Sequence, residues 1–201
     1  GLFNRFDLAP ADGSSCGEYR IVFAKTTGIT NVRNRNLLIF FDAATKQDLL
    51  IAVLEHYRTG IHPMLLEPAW QGISDPIEKI FALLAGYRKA LVATDCTFGC
   101  PIGSLALELP EPDPAVRKLL AANFTAWTSA IERCLKQAGA RLPRGSNLRE
   151  LASFILTTME GGVMQARTHR SLATYDAAVH QLRSYLSHLE AAASAKRKKA
   201  S

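Results

Sequence analysis

Apolar positions recur with a helical period along most of this chain. From Thr45 onward, Leu49, Leu50, Val53, Leu54, Tyr57 and Ile61 fall three or four residues apart, which places them on one stripe of an α-helix. Thr45 reads as the N-cap, and Asp48 three residues later offers the return half of a capping box. Pro63 should stop or kink this helix, because it brings no N–H and its ring crowds the preceding turn. A second helix opens at Ser74-Asp75-Pro76, with proline in the first turn where its missing N–H costs nothing. Its inward face is Ile77, Ile80, Phe81, Leu84, Tyr87 and Leu91. A third opens the same way at Asp113-Pro114, turns Val116, Leu119, Leu120, Phe124, Trp127, Ile131 and Leu135 inward, and ends near Gly139. Asn147 caps a fourth, with Leu148, Leu151, Phe154, Ile155, Met159, Gly162, Val163 and Ala166 inward. A fifth runs over about 173–189 through Tyr175, Val179, Leu182, Tyr185 and Leu186. Five such helices joined by short loops predict an all-α bundle.

Residues 1–44 lack this regularity. Pro10, Asp12-Gly13-Ser14-Ser15 and Gly17 break any early helix. The apolar runs 19–23 and 37–41 fit short strands and buried helix turns equally well.

Composition narrows the class. A hydrophobic content of 48% supports a substantial core. No apolar run approaches the roughly 18–20 residues a membrane span needs, and Arg5 and Asp7 interrupt the apolar start, so a soluble, cytoplasmic protein without membrane contact is expected. The net charge is +6, but Lys196, Arg197, Lys198 and Lys199 carry four of those charges. They lie on a segment, 191–201, that has no apolar stripe and is expected to be a disordered, solvated tail; a nonspecific phosphate contact is its other reading. A pI of 9.3 is therefore a weak pointer to nucleic acid. Cys16, Cys96, Cys100 and Cys134 form no Cys-x-x-Cys pair, and His56, His62, His169, His180 and His188 do not join them at zinc spacing, so neither a metal nor any other cofactor is expected. No Gly-x-Ser-x-Gly, phosphate loop or His-Glu-x-x-His is present, and the chain is not expected to be an enzyme.

The run Gly99-Cys100-Pro101-Ile102-Gly103-Ser104-Leu105-Ala106-Leu107-Glu108-Leu109 resembles a Gly-Cys-x-x-Gly-x-x-Ala-x-Glu-Leu signature at helix six of one branch of the tetracycline-repressor (TetR) family. The resemblance continues through Phe124-x-x-Trp127 and Glu160-Gly161-Gly162 to the closing helix. Upstream, Thr45-Lys46-Gln47-Asp48-Leu49-Leu50 looks like the start of the family's helix four, whereas the first 44 residues depart from the family pattern. The resemblance implies a DNA-binding helix-turn-helix domain over 1–46, a ligand-binding and dimerising helical domain over 47–190, and the basic tail 191–201. It implies a repressor that binds a double-stranded DNA operator as a homodimer and is released by a small-molecule effector. A ligand-binding or dimerising all-α protein without DNA binding is the alternative.

The candidate residues follow. If a helix-turn-helix is present, Thr30, Asn31, Arg33 and Arg35 would lie in its recognition segment, since Arg pairs with guanine and Asn with adenine in the major groove; a polar loop competes. Thr45 and Lys46, at a helix start, suit a backbone phosphate. Tyr87, Phe98, Cys100, Phe124, Trp127, Phe154 and Met159 would line an effector pocket between helices, or simply form core; few charges fall on these faces, so an apolar or weakly polar effector is expected. Cys100 is a small core residue or, at a helix start, a sensor of electrophiles; packing is the preferred reading. The dimer interface is expected at Leu151, Ile155, Gly162, Val163, Leu182, Tyr185 and Leu186, because they exceed what one internal face needs, with Gly161-Gly162 permitting close helix approach.

Overall fold

The computed structural model describes residues 45–109 and 111–200, together with two short strands, Ala9–Pro10 and Tyr19–Arg20, that pair antiparallel with Ala9 opposite Arg20. From Thr45 onward every regular element is helical. Helix α1 spans Lys46–Ile61 behind a reciprocal cap: Asp48 N–H donates to Thr45 Oγ1 at 3.1 Å, and Thr45 N–H and hydroxyl donate to Asp48 Oδ2 at 3.1 and 2.7 Å. Pro63 ends α1 as expected. The chain widens into a π-helical segment, His62–Leu66, and re-tightens as the short α2, Glu67–Trp70. Trp70 Nε1 donates to the Lys79 carbonyl at 2.8 Å and so pins this end of the chain to the next helix.

Helix α3, Pro76–Ala93, starts where Asp75 Oδ1 accepts from the N–H groups of Ile77 and Glu78. The eight-residue α4 covers Pro101–Glu108. Helix α5, Pro114–Ala138, is capped by Asp113 and stopped by Gly139 at φ +53°, which leads into the 3-10 turn Gly139–Arg141. Helix α6, Leu148–His169, is capped by Asn147 and closed by Arg170 in the left-handed region. Helix α7 spans Ala173–Ala200.

That last boundary corrects the expectation of a disordered tail from 191. The segment Ala191-Ala192-Ala193-Ser194-Ala195 holds strong helix formers and no glycine or proline, so the helix continues. Ala193 is also buried, which gives the extension one packed turn.

Helix α5 runs through the middle and packs against α1, α3 and α6, while α7 lies across α6 and α3. Asn123 is buried inside this arrangement and donates from Nδ2 to the carbonyls of Leu54 and Leu119 at 3.0 and 2.9 Å, a polar tie between α1 and α5. Arg141 bridges Asp75 and Glu190 at 2.6 Å each, joining the ends of α3, α5 and α7. Bidentate pairs Arg88–Asp176 and Arg183–Glu78 clamp α7 along α3. Among the described residues no helix is long and apolar enough to cross a membrane, and no group of three or more His, Cys, Asp or Glu could hold a metal ion.

Candidate functional site

Four helices converge on Cys100, the residue just before α4. Tyr87 of α3 is buried and brings its hydroxyl to 4.0 Å from Cys100 Sγ. The Tyr87 ring packs on Trp127 of α5 with centroids 5.6 Å apart, tilted by 58°. Met159 of α6 is buried in the same core. Glu160 follows it, and its carboxylate acts electrostatically on the Cys100 thiol. Gly103 is what allows this: a Cβ there would lie 2.6 Å from Glu160 Oε2. Two of the three fixed residues of the Gly-Cys-x-x-Gly run, Cys100 and Gly103, therefore meet one acidic side chain from α6.

Burial dominates the proton affinities here. It pushes the Cys100 thiol up, with the Glu160 carboxylate adding to the effect and the backbone N–H of Gly103 opposing it. It likewise raises Tyr57, Tyr87 and Glu160; for Glu160 the neighbouring Cys100 thiol acts in the opposite direction. A thiol buried and held protonated in this way is a poor nucleophile, which favours the packing role for Cys100 over electrophile sensing.

The pocket candidates divide. Tyr87, Cys100, Trp127 and Met159 are brought together in the core, and Phe98 and Phe124 pack partly buried against it. Phe154 is not part of that group. It is 49% exposed on the outer side of α6, edge-on to Tyr185 of α7 at 5.8 Å. The interface candidates divide the other way. Leu151, Ile155, Gly162, Val163, Leu182 and Leu186 are buried within the protomer; Gly162 packs against Tyr175 of α7, and Val163 lies near Gly99. Helical spacing made both sides of α6 look apolar, but its buried side is broad enough to absorb them. The outward apolar residues are Tyr185, Phe154 and Met164, of which only Tyr185 belongs to the expected interface set.

Thr45 caps α1 with its hydroxyl engaged by Asp48, and Lys46 is the first residue of α1. Thr30, Asn31, Arg33 and Arg35 lie outside the described residues. Sequence reasoning missed Glu160 as a site residue. Its signal was an acid flanked on the α6 face by Met159 and Val163, positions that are buried. It also missed a shallow groove of about 180 Å³ between α3 and α7, floored by Phe81, Leu84, Tyr175 and Val179 and edged by the Arg88–Asp176 pair and Arg183.

Comparison with known proteins places this bundle. A family model described as the C-terminal domain of LmrA/YxaF-like transcriptional regulators matches residues 76–181. An uncharacterized HTH-type transcriptional regulator of Mycobacterium tuberculosis, found in two strains, is 30% identical over 115 residues. The match covers 55% of this chain and 58% of that relative, so the chain spans little more than half the length of the curated proteins it matches. The crystal structure of a regulatory protein TetR from Rhodobacter sphaeroides superposes with a TM-score of 0.63 at 19% identity, covering 69% of this chain and 74% of the other. A TetR-family transcriptional regulator from Agrobacterium tumefaciens gives 0.61 at 25% identity, covering 72% and 75%.

Proposed function

Because the chain belongs to the TetR family of transcriptional regulators, in the branch with an LmrA/YxaF-like C-terminal domain, we propose that it is a DNA-binding regulator that acts as a ligand-released repressor. The supporting observation is that the family domain begins on the first residue of α3 and runs into α7, over the bundle that holds the Tyr87–Cys100–Trp127 core. The regulator works in the cytoplasm, where its operator is.

A homodimer forms through the outer faces of α6 and α7. Phe154, Met164 and Tyr185 supply its apolar centre, and Gly161 lies on the same outward stripe of α6 with nothing within 4 Å of its Cβ position. Two copies then set their DNA-binding domains about one helical turn apart, near 34 Å. Lys46 and Thr45 meet the phosphate backbone, and Thr30, Asn31, Arg33 and Arg35 read bases. An apolar or weakly polar effector enters among Tyr87, Phe98, Cys100, Phe124, Trp127 and Met159, shifts α4 and α1, and releases the operator through its differential affinity for the two arrangements.

Two measurements on the full chain test this. Light scattering at micromolar concentration should give a dimer, and Phe154→Asp with Tyr185→Asp should give a folded monomer. Fluorescence anisotropy with the DNA flanking the protein's own gene should show tight, strongly salt-dependent binding. A wild-type monomer refutes the dimer; a dimer that ignores this DNA at low salt refutes the repressor and leaves the ligand-binding dimer as the reading.

A further inference from the structure

Helix α4 is buried most deeply at its first turn, with Leu105 and Leu109 packed partly buried against the core. Pro101 and Ile102 are its buried residues, while Ala106, Leu107 and Glu108 are exposed, Leu107 by 74%. Its first turn is gripped from α6 at two points. The Glu160 carboxyl rests on Gly103, with Oε2 2.6 Å and Cys100 Cβ 3.6 Å from the position a Cβ would take there. Seven residues further along α6, Arg167 Nη1 donates to Ser104 Oγ at 3.4 Å, and Arg167 Cδ lies 3.6 Å from the Cβ position of Gly99. Residues seven apart share a helix face, so one side of α6 holds α4.

The groups facing Glu160 come from every neighbouring element. Cys100 stands at the start of α4, Tyr87 reaches in from α3 and Tyr175 from α7, and Tyr57 of α1 lies beside Cys100. All are neutral when protonated, and burial favours that form in each. Arg167, the cation on the same side of α6, is engaged at Ser104. An ionised Glu160 in this seat faces a buried thiol and buried tyrosines, a costly setting for a carboxylate.

We infer that Glu160 is a proton-operated catch between α6 and α4. Neutral, its carboxyl stays seated on the first turn of α4. When it gives its proton to solvent, the carboxylate swings out toward water and Arg167, and the first turn of α4 loses its seat on α6, leaving the helix to its apolar contacts at Pro101, Ile102 and Leu105. Burial raises the carboxyl's hold on its proton, which moves the transition above the ordinary carboxylate range. The catch stands independently of DNA binding, because it is a property of the bundle.

The test is peptide-resolved hydrogen exchange on the full chain between pH 5 and 9, corrected for intrinsic exchange, with the Glu160 carboxyl followed by carbon NMR. Protection over 102–108 should fall about tenfold or more as pH rises through the Glu160 titration, while α5 stays protected. In Glu160→Gln the fall should vanish. Gly103→Ala, which evicts the carboxyl by steric contact, should leave α4 poorly protected at every pH. The inference is overturned if α4 protection does not change with pH, if Glu160→Gln shows the same fall, or if Glu160 titrates near the ordinary value of about 4.3.

Discussion

The pair Gly161-Gly162 offers a sharp test, because the two glycines sit side by side in α6 and meet opposite surroundings. Replacing a helical glycine by alanine removes unfolded-chain freedom and gains about 1 kcal/mol where the new methyl fits. At Gly161 nothing lies within 4 Å of the Cβ position. At Gly162 the methyl would lie 3.0 Å from Tyr175 Cδ2 and 3.6 Å from Tyr175 Cα. Tyr175 cannot step aside: it is buried, its hydroxyl donates to the Leu84 carbonyl at 2.8 Å, and its Cα belongs to α7. Relief needs α7 to move by a few tenths of an ångström, and overpacking of this kind costs about 1–3 kcal/mol. Gly162→Ala should therefore come out destabilised by roughly 0–2 kcal/mol once the helix gain is subtracted. Gly161→Ala should be stabilised by up to about 1 kcal/mol in a protomer whose α6 face is open, and destabilised where a second copy of the helix approaches closely there. Urea unfolding at a fixed protomer concentration, repeated at tenfold dilution, measures both. If Gly162→Ala gains the full helix-propensity increment, the Gly162–Tyr175 approach is not the constraint argued here.

Three further outcomes follow from particular contacts. Asn123→Asp turns a donor into an acceptor facing the Leu54 carbonyl, so it should cost about 3 kcal/mol at neutral pH; the new carboxyl's raised folded pKa means the penalty should shrink as pH falls, and a pH-independent loss in urea titrations would refute this. Asp75 is held below its usual carboxylate range by its backbone N–H bonds and then by Arg141, so its stabilisation is present at neutral pH and lost as pH falls through that depressed value. Arg141→Met should cost about 0.5–1 kcal/mol near pH 7, in keeping with a half-exposed pair, and almost nothing by about pH 2; equal loss at both values would sink the assignment. Lys46→Ala should weaken operator binding equally on all sequences and reduce the salt slope by about one phosphate contact; an unchanged slope would remove Lys46 from the interface.

The helix starts were legible because they rest on local chemistry. Thr45 with Asp48, Asp75 with Pro76, Asp113 with Pro114, and Asn147 each cap the helix that the apolar stripe predicts. Pro63 ended α1, though the π-helical segment that absorbs it left no mark in the residue pattern. The direction in which each apolar residue faces was less legible. Phe154 stands about 100° around α6 from Ile155, so apolarity alone assigned both inward, yet Ile155 is fully buried and Phe154 half-exposed. Leu151, Val163 and Leu182 were read as surplus because periodicity does not say how many neighbours a helix meets, and α6 packs on both α5 and α7. Glu160 shows a different limit: its partners Cys100 and Gly103 lie on another helix, and only the tertiary approach over Gly103 reveals why an acid sits at that place.

The direction of α7 decides what its basic end can touch. Asp176, near the start of α7, pairs with Arg88 in the second half of α3, and Glu190 pairs with Arg141, which also holds Asp75 at the first turn of α3. Helix α7 therefore runs antiparallel to α3 and carries Lys196 and Lys198 past the Arg141 pole. Helix α1 fixes the other pole. Its middle, at Leu54, meets Asn123 of α5, and the chain then runs on to Trp70, which binds Lys79 near the beginning of α3. The start of α1 at Lys46 thus points away from the Arg141 pole. From Asp176 to Lys198 is about 33 Å at 1.5 Å per residue, so the basic end of α7 and Lys46 stand at opposite ends of the bundle. One straight duplex lying against the Lys46 end is out of reach of that cluster. Truncating the chain before Lys196 should leave operator affinity and its salt slope unchanged, whereas a nonspecific phosphate contact by the tail would lower the slope by several counterions. A clear drop in slope on truncation would show that the duplex bends around the bundle or that a second DNA segment binds the far pole.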